Sequence, residues 1–219
     1  MIICANCNEI TKDDVQAYNK DLRKQNINIS PILPACKICG AEVAISHTCS
    51  TAKVIVINGT CGSGKTTVAE ILQDRGYLAI DGDCAIQSIR YKKGTKKYEW
   101  NELVDEITQE IDILSLFGEN IVISHVVLPE DLAKYIEIFE TRNIEYKFIL
   151  LQPEYQSAVE RCQTRTCHDN ITPEVWIKHF YDILVFDDDR MVIVDNTSLT
   201  ANETADVILR LPYRKGKND

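Results

Sequence analysis

The segment Gly59-Thr60-Cys61-Gly62-Ser63-Gly64-Lys65-Thr66 carries three glycines, a lysine and a threonine at the spacing GxxxxGK[ST]. That spacing suits a polyphosphate. The glycines let the backbone curl without Cβ clashes, so that successive N–H groups converge on β- and γ-phosphates at the positive end of the helix that follows. Lys65 supplies a point charge and Thr66 a hydroxyl ligand for Mg²⁺. The flanks agree with this reading: the β-branched run Val54-Ile55-Val56-Ile57 predicts a strand, and Thr67 to Arg75 a helix. The sequence thus predicts a nucleoside triphosphate site lined by Gly59, Thr60, Cys61, Gly62, Ser63, Gly64, Lys65, Thr66 and Thr67.

A second constellation lies near the N-terminus. Cys4-x2-Cys7 and Cys36-x2-Cys39 form two knuckles separated by 28 residues, with Gly40 after the second pair. Four thiolates in two such pairs suit tetrahedral Zn²⁺, and a closed four-sulfur shell makes that zinc structural, with no position open for catalysis. About fifty residues with few large apolar side chains need such a staple to fold. The insert Asp13 to Gln25 has helical spacing at Val15, Tyr18 and Leu22. The module resembles a zinc ribbon; His47 and Cys49 read as linker residues.

The elements that must position these groups follow from periodicity. Ala52 to Asn58 is a continuous apolar run of the kind shown by a central parallel strand covered on both faces. Further strands are predicted at Tyr77–Ile80, Ile121–Leu128, Glu145–Leu151 and Met191–Val194. Helices are predicted at Thr66–Arg75, Glu99–Phe117, Glu130–Arg142, residues 153–166, from Thr172-Pro173-Glu174 through Leu184, and Thr200–Leu211. Alternating strands and helices predict an α/β fold, a three-layer doubly wound parallel sheet with a small N-terminal zinc-ribbon-like domain. The predicted division is 1–50 for the zinc module, 53–212 for the α/β body and 213–219 for a charged tail.

Over residues 53–211 the chain resembles the small P-loop kinases of the nucleoside-monophosphate, shikimate and gluconate kinase superfamily. The resemblance rests on the loop GTCGSGKT, the tripeptide Asp81-Gly82-Asp83 after the second strand, and Arg161 and Arg165 four apart on one predicted helix. It implies ATP with Mg²⁺, Arg161 packed on the adenine, Arg165 reaching the transferring phosphoryl group, and Asn196 with Thr197 at the adenine edge. Phosphoryl transfer needs in-line positioning and charge neutralisation more than covalent chemistry. Asp83 is then expected to orient or deprotonate the acceptor hydroxyl, with Asp81 nearer the Mg²⁺ shell through water, although the two could exchange roles. One departure stands out: the strand ending many P-loop proteins' metal aspartate here reads IVISHVVL, with Ser124 and His125 in its place. Cys61 and Cys84 read as spacers, and His168 falls in the presumed lid.

Composition narrows the partners. At 219 residues and 45% hydrophobic content the chain can bury one substantial core, and no apolar run approaches bilayer length. A cytoplasmic protein without a membrane partner is expected. Residues 1–50 carry five basic and five acidic side chains, so the entire net charge of −9 falls on residues 51–219. An acidic body disfavours nucleic acid, yet the basic run Arg90 to Lys97 (RYKKGTKK) offers a local phosphate groove. The expected activity is therefore ATP-dependent phosphorylation of a small hydroxylated molecule. Two other readings stay open: a polynucleotide 5′-hydroxyl kinase, and a nucleotide-dependent regulatory protein whose zinc module recruits a partner.

Overall fold

The computed structural model describes residues 2–3, 44–45, 52–115, 120–164 and 173–215. The strands are β1 (Ile2–Ile3), β2 (Ala44–Ile45), β3 (Lys53–Gly59), β4 (Leu78–Asp81), β5 (Ile121–Ser124), β6 (Glu145–Leu151) and β7 (Met191–Val194). The helices are α1 (Lys65–Asp74), α2 (Gly82–Lys93), α3 (Trp100–Ser115), α4 (Pro129–Thr141), α5 (Tyr155–Thr164), α6 (Glu174–Ile183) and α7 (Ala201–Arg210). Five strands form one sheet in the order β4-β5-β3-β6-β7. The central place of β3 explains its unbroken apolar run, buried from Val54 to Gly59. β3 pairs in parallel with β6, and β6 with β7, so that Gly59, Leu151 and Val194 share one row. The loops after these residues leave from a single sheet edge, where α/β sheets place ligands.

The chain divides into two compact units, Met1–Ala52 with Ile80–Ile121, and Lys53–Ala79 with Val122–Asp219. In the second unit Ile55, Ile57, Val68, Leu72, Val122, Ile149 and Ile208 form one buried cluster. A chain of rings, Tyr135, Phe139, Tyr146 and Phe148, continues the core, with Phe139 lying 5.3 Å from Tyr146 and 5.7 Å from Phe148 between centroids. Pro129 opens α4 at its first position, where no amide hydrogen is needed. Thr200 and Glu203 form a capping box at the start of α7. The other end of α7 is closed from the sheet: buried Lys147 of β6 donates to Ile208 O (2.7 Å) and Leu211 O (3.0 Å) and lies 4.2 Å from the Tyr213 ring centre. Burial pushes that ammonium down to about 8, and the last-turn carbonyls stabilise its charged form.

In the first unit β1 and β2 pair antiparallel, Ile2 with Ile45 and Ile3 with Ala44. The four cysteines expected to hold zinc, and the helix expected between them, lie outside the described residues. Helix α2, 12 residues long, is an element that the periodicity does not announce. Its end signals are present. Asp81 caps its N-terminus and Gly94 closes it in the left-handed conformation. Helices α2 and α3 are joined by Ser88 Oγ donating to Glu106 Oε1 (2.8 Å), Lys92 on Glu106 (2.7 Å) and Lys93 on Glu102 (2.6 Å). Two of the five basic side chains of the run, Lys92 and Lys93, are therefore matched to carboxylates. Arg90 is committed as well, with its Nε on Lys96 O and its guanidinium 5.4 Å from the Tyr98 ring centre.

The strand predicted to reach Leu128 ends at Ser124. Beyond it the backbone of Val127 bonds a side chain, Asn58, in place of a neighbouring strand. Among the described residues no helix is long and apolar enough to cross a membrane. Phe139→Ala, which empties the centre of the ring cluster, is expected to lower the unfolding free energy by about 3–5 kcal/mol in urea denaturation followed by circular dichroism.

Candidate functional site

The phosphate loop leaves β3 at Gly59 and enters α1 at Lys65, as the spacing predicts. Gly64 stands at the N-cap in a left-handed conformation, no side chain caps the helix, and its first turn holds no acidic residue. A helix start that no side chain caps suits an anion. Lys65 Nζ folds back over the loop and donates to Gly59 O (2.7 Å) and Thr60 O (2.9 Å). Thr66 and Thr67 are exposed on the first turn, and Cys61 packs against Ala158, Val159, Cys162 and Ile177.

Close packing holds this loop in shape. Gly62 has φ of +78°, and a Cβ there would stand 2.2 Å from Ala158 O and 2.9 Å from Cys162 Sγ, both on α5. No other residue fits. Asn196, buried after β7, donates from Nδ2 to Ser63 O at 2.9 Å. Arg161 of α5 donates from Nη2 to Asn196 O and Thr197 O, each at 2.9 Å. The loop, Arg161, Asn196 and Thr197 are thus brought together at one sheet edge, the set that the sequence assigns to the nucleotide.

This arrangement fits a triphosphate. Thr60 Oγ1, Ser63 Oγ and Asn196 Oδ1 are buried and accept or donate no hydrogen bond among the described residues. Orphaned polar atoms are uncommon in cores and concentrate where a ligand completes them. Together with an uncapped helix start and a lysine folded onto loop carbonyls, the Thr60 and Ser63 hydroxyls suit a polyanion, while Asn196 Oδ1 can accept only from a ligand N–H or O–H. For Mg²⁺ the loop offers the exposed Thr66 hydroxyl.

His125 follows β5, and its amide donates to Ile57 O at 3.2 Å. Burial, with the charge of Lys65 added, pushes the imidazole down to about 3. It is therefore uncharged at neutral pH, and it places no second cation beside Lys65. Asn58, the last residue of β3 before the loop, is a residue that sequence reasoning missed. Its Oδ1 accepts from Gly59 N (2.7 Å) and Val127 N (3.1 Å), and its Nδ2 donates to Val127 O (2.7 Å). An asparagine ending a β-branched run was the available signal.

Asp81 and Asp83 belong to the first unit. Asp81 Oδ1 accepts from Asp83 N (2.8 Å) and Cys84 N (3.3 Å), so one carboxylate oxygen caps α2. Asp83 is exposed in the first turn of that helix. Arg165 and His168 lie outside the described residues, as do Cys4, Cys7, Cys36 and Cys39. Among the described residues no group of three or more His, Cys, Asp or Glu side chains is placed to hold a metal ion.

Parallel strands, loop and following helix define a P-loop nucleotide-binding α/β protein. Residues 55–176 match the family model described as AAA domain. This is more than half of the chain, which therefore belongs to that AAA domain family. No curated protein matches it. Similar folds among solved structures include a gluconokinase from Sinorhizobium meliloti, with 23% identity, TM-score 0.53, and coverage of 72% of this chain and 89% of that one. A sugar kinase from Janibacter has 17% identity and TM-score 0.54 over 72% of this chain and 92% of that one. The tunicamycin resistance protein of Deinococcus radiodurans has 17% identity and TM-score 0.54, covering 74% and 98%. At these identities the likeness is one of fold.

Gly62→Ala is expected to abolish detectable Mg·ATP binding in calorimetry, since the new methyl must push α5 from the loop. Gly76→Ala is the control. It has φ of +97° with nothing within 4 Å of a Cβ, so it should cost roughly 1–2 kcal/mol of stability and leave nucleotide affinity unchanged.

Proposed function

We propose that the chain is an ATP-dependent phosphotransferase, moving the γ-phosphoryl group to a hydroxyl of a small molecule such as a nucleoside, nucleotide or sugar acid. The observation that carries this reading is the phosphate loop itself, with its uncapped helix start, its lysine and two orphaned hydroxyls, Thr60 and Ser63, at one sheet edge. The names of two similar folds, a gluconokinase and a sugar kinase, support it. ATP supplies the phosphoryl group, and Mg²⁺ charge neutralisation on its oxygens.

The chain's own residues then divide the work. Loop amides and Lys65 hold the phosphates, with Lys65 exchanging its loop carbonyls for phosphate oxygens. Thr66 offers the metal a hydroxyl, and the Asp81 carboxylate is assigned to the metal's outer shell. Arg161, tied to the carbonyls of residues 196 and 197, presents its plane to the base, and Asn196 borders it. Arg165 is assigned to the transferring group. Asp83, exposed and in a helix first turn, is assigned to receive the acceptor hydroxyl's proton as that oxygen bonds the γ-phosphorus and the bond to the β,γ-bridging oxygen breaks, with ADP as the leaving group.

Cys4, Cys7, Cys36 and Cys39 are assigned a structural zinc. Their four sulfurs suit it, and the pairing of Ile3 with Ala44 joins backbone from either side of the cysteine segment. The pairing of Lys92 and Lys93 with acidic partners favours a small acceptor over a polynucleotide. Two outcomes test the assignment. Lys65→Ala should abolish ATP turnover and keep the zinc content measured by atomic absorption; loss of metal would refute the separation of the two sites. Asp83→Asn should bind Mg·ATP with wild-type affinity and lose transfer in a radiolabelled assay against nucleosides and sugar acids. A normal transfer rate would remove Asp83 from the acceptor side.

A further inference from the structure

We propose that Asn58 is a positioning residue that fixes the phosphate loop through its amide donor, by fastening the first residue of the loop to the segment that leaves β5. The inference rests on the nucleotide site proposed above. Asn58 is fully buried and makes three hydrogen bonds: Gly59 N to Oδ1 at 2.7 Å, Val127 N to Oδ1 at 3.1 Å, and Nδ2 to Val127 O at 2.7 Å. Both polar groups of Val127 are thereby satisfied by one side chain. Gly59 is held at both of its polar groups, its N–H by Asn58 and its carbonyl by Lys65 Nζ.

This makes a continuous path. The segment after Ser124 has left the sheet, yet the amide of His125 on Ile57 O and the two groups of Val127 on Asn58 keep it fastened to the end of β3. Whatever fixes Val127 therefore also fixes the Gly59 carbonyl that sets the height of Lys65. Gly59 itself has φ of +146°, and Leu151 O and Ser63 Oγ each lie 2.6 Å from the point where a Cβ would stand, so no side chain fits at this position. A carboxamide presents, at every pH, an acceptor toward two amides and a donor toward a carbonyl in this volume. Leucine offers neither, and a carboxylate lacks the donor.

The isosteric variant N58D tests the donor by a pH profile. At about pH 8 the introduced carboxylate faces the Val127 carbonyl, leaving two acceptors opposed in a dry site, and Mg·ATP affinity should fall about tenfold or more relative to wild type. Opposition of that kind, with burial, raises the carboxyl's pKa above the usual ~3.9. Lys65, whose ammonium bonds Gly59 O, opposes the rise, while His125 stays uncharged over the range. As the pH falls toward about 5.5 the protonated carboxyl regains a donor for Val127 O, and affinity should recover to within about threefold of wild type measured at the same pH. A variant that matches wild type at every pH, or one that binds weakly at every pH without recovery, overturns the proposal.

Amide exchange of Gly59 and Val127, measured without nucleotide, gives a separate reading. Both amides should be protected in wild type and exchange at least roughly tenfold faster in N58D at one common pH near 8. Unchanged protection overturns the clamp. Failure of wild type to bind Mg·ATP would instead defeat the nucleotide reading, with the exchange data still deciding the role of Asn58.

Discussion

The loop between β3 and α1 keeps its shape because backbone is pressed on backbone at Gly62, where Ala158 O leaves no space for a side chain. That contact fixes where α5 passes, and α5 in turn carries Arg161 to the carbonyls after β7. Asn196, held in that same turn, reaches back to Ser63 O. Loop, helix and turn therefore constrain one another through contacts between sequence positions 35 to 133 residues apart. A binding surface built this way is set before any ligand arrives, which is how electrostatic sites reduce reorganisation.

Buried polar groups supply the rest of the definition. Lys147 lies in the sheet where a hydrocarbon would be expected, and it is stabilised there by the end of α7 and the Tyr213 ring. Asn58 has a comparable role at the opposite end of the strands. Each side chain joins two elements that apolar packing alone would leave free to slide, since burial is non-directional and a hydrogen bond is not. His125 is neutral for the same reason that the Lys147 ammonium is a stronger acid than usual: burial disfavours the charged form in both.

The α2–α3 pair of the first unit uses its polar groups differently. Lys92, Lys93, Glu102, Glu106 and Ser88 bond across the pair, and the two exposed lysines gain little individually from such pairs. Their consequence is for charge. In a run that reads as basic along the chain, two of five positive charges meet carboxylates, 14 and 9 residues away.

Spacing and periodicity by themselves determined the phosphate loop, the strands Glu145–Leu151 and Met191–Val194, and most helix positions to within two residues, because a glycine pattern and a burial period act locally along the chain. The resemblance carried by those motifs assigns Arg161 and Asn196 to the adenine, and the fold brings both side chains to the turn after β7, with Asn196 on Ser63 O. What local pattern did not yield is just as physical. Helix α2 was hidden because Asp81-Gly82-Asp83 reads equally as a turn and as an N-cap, and only the bonds from Asp83 N and Cys84 N decide. The end of β5 at Ser124, the clamp of Asn58 on Val127 and the approach of Ala158 O to Gly62 were decided by tertiary structure alone. Each depends on a partner 69 or more residues away, and no local pattern records which distant atom will occupy the space.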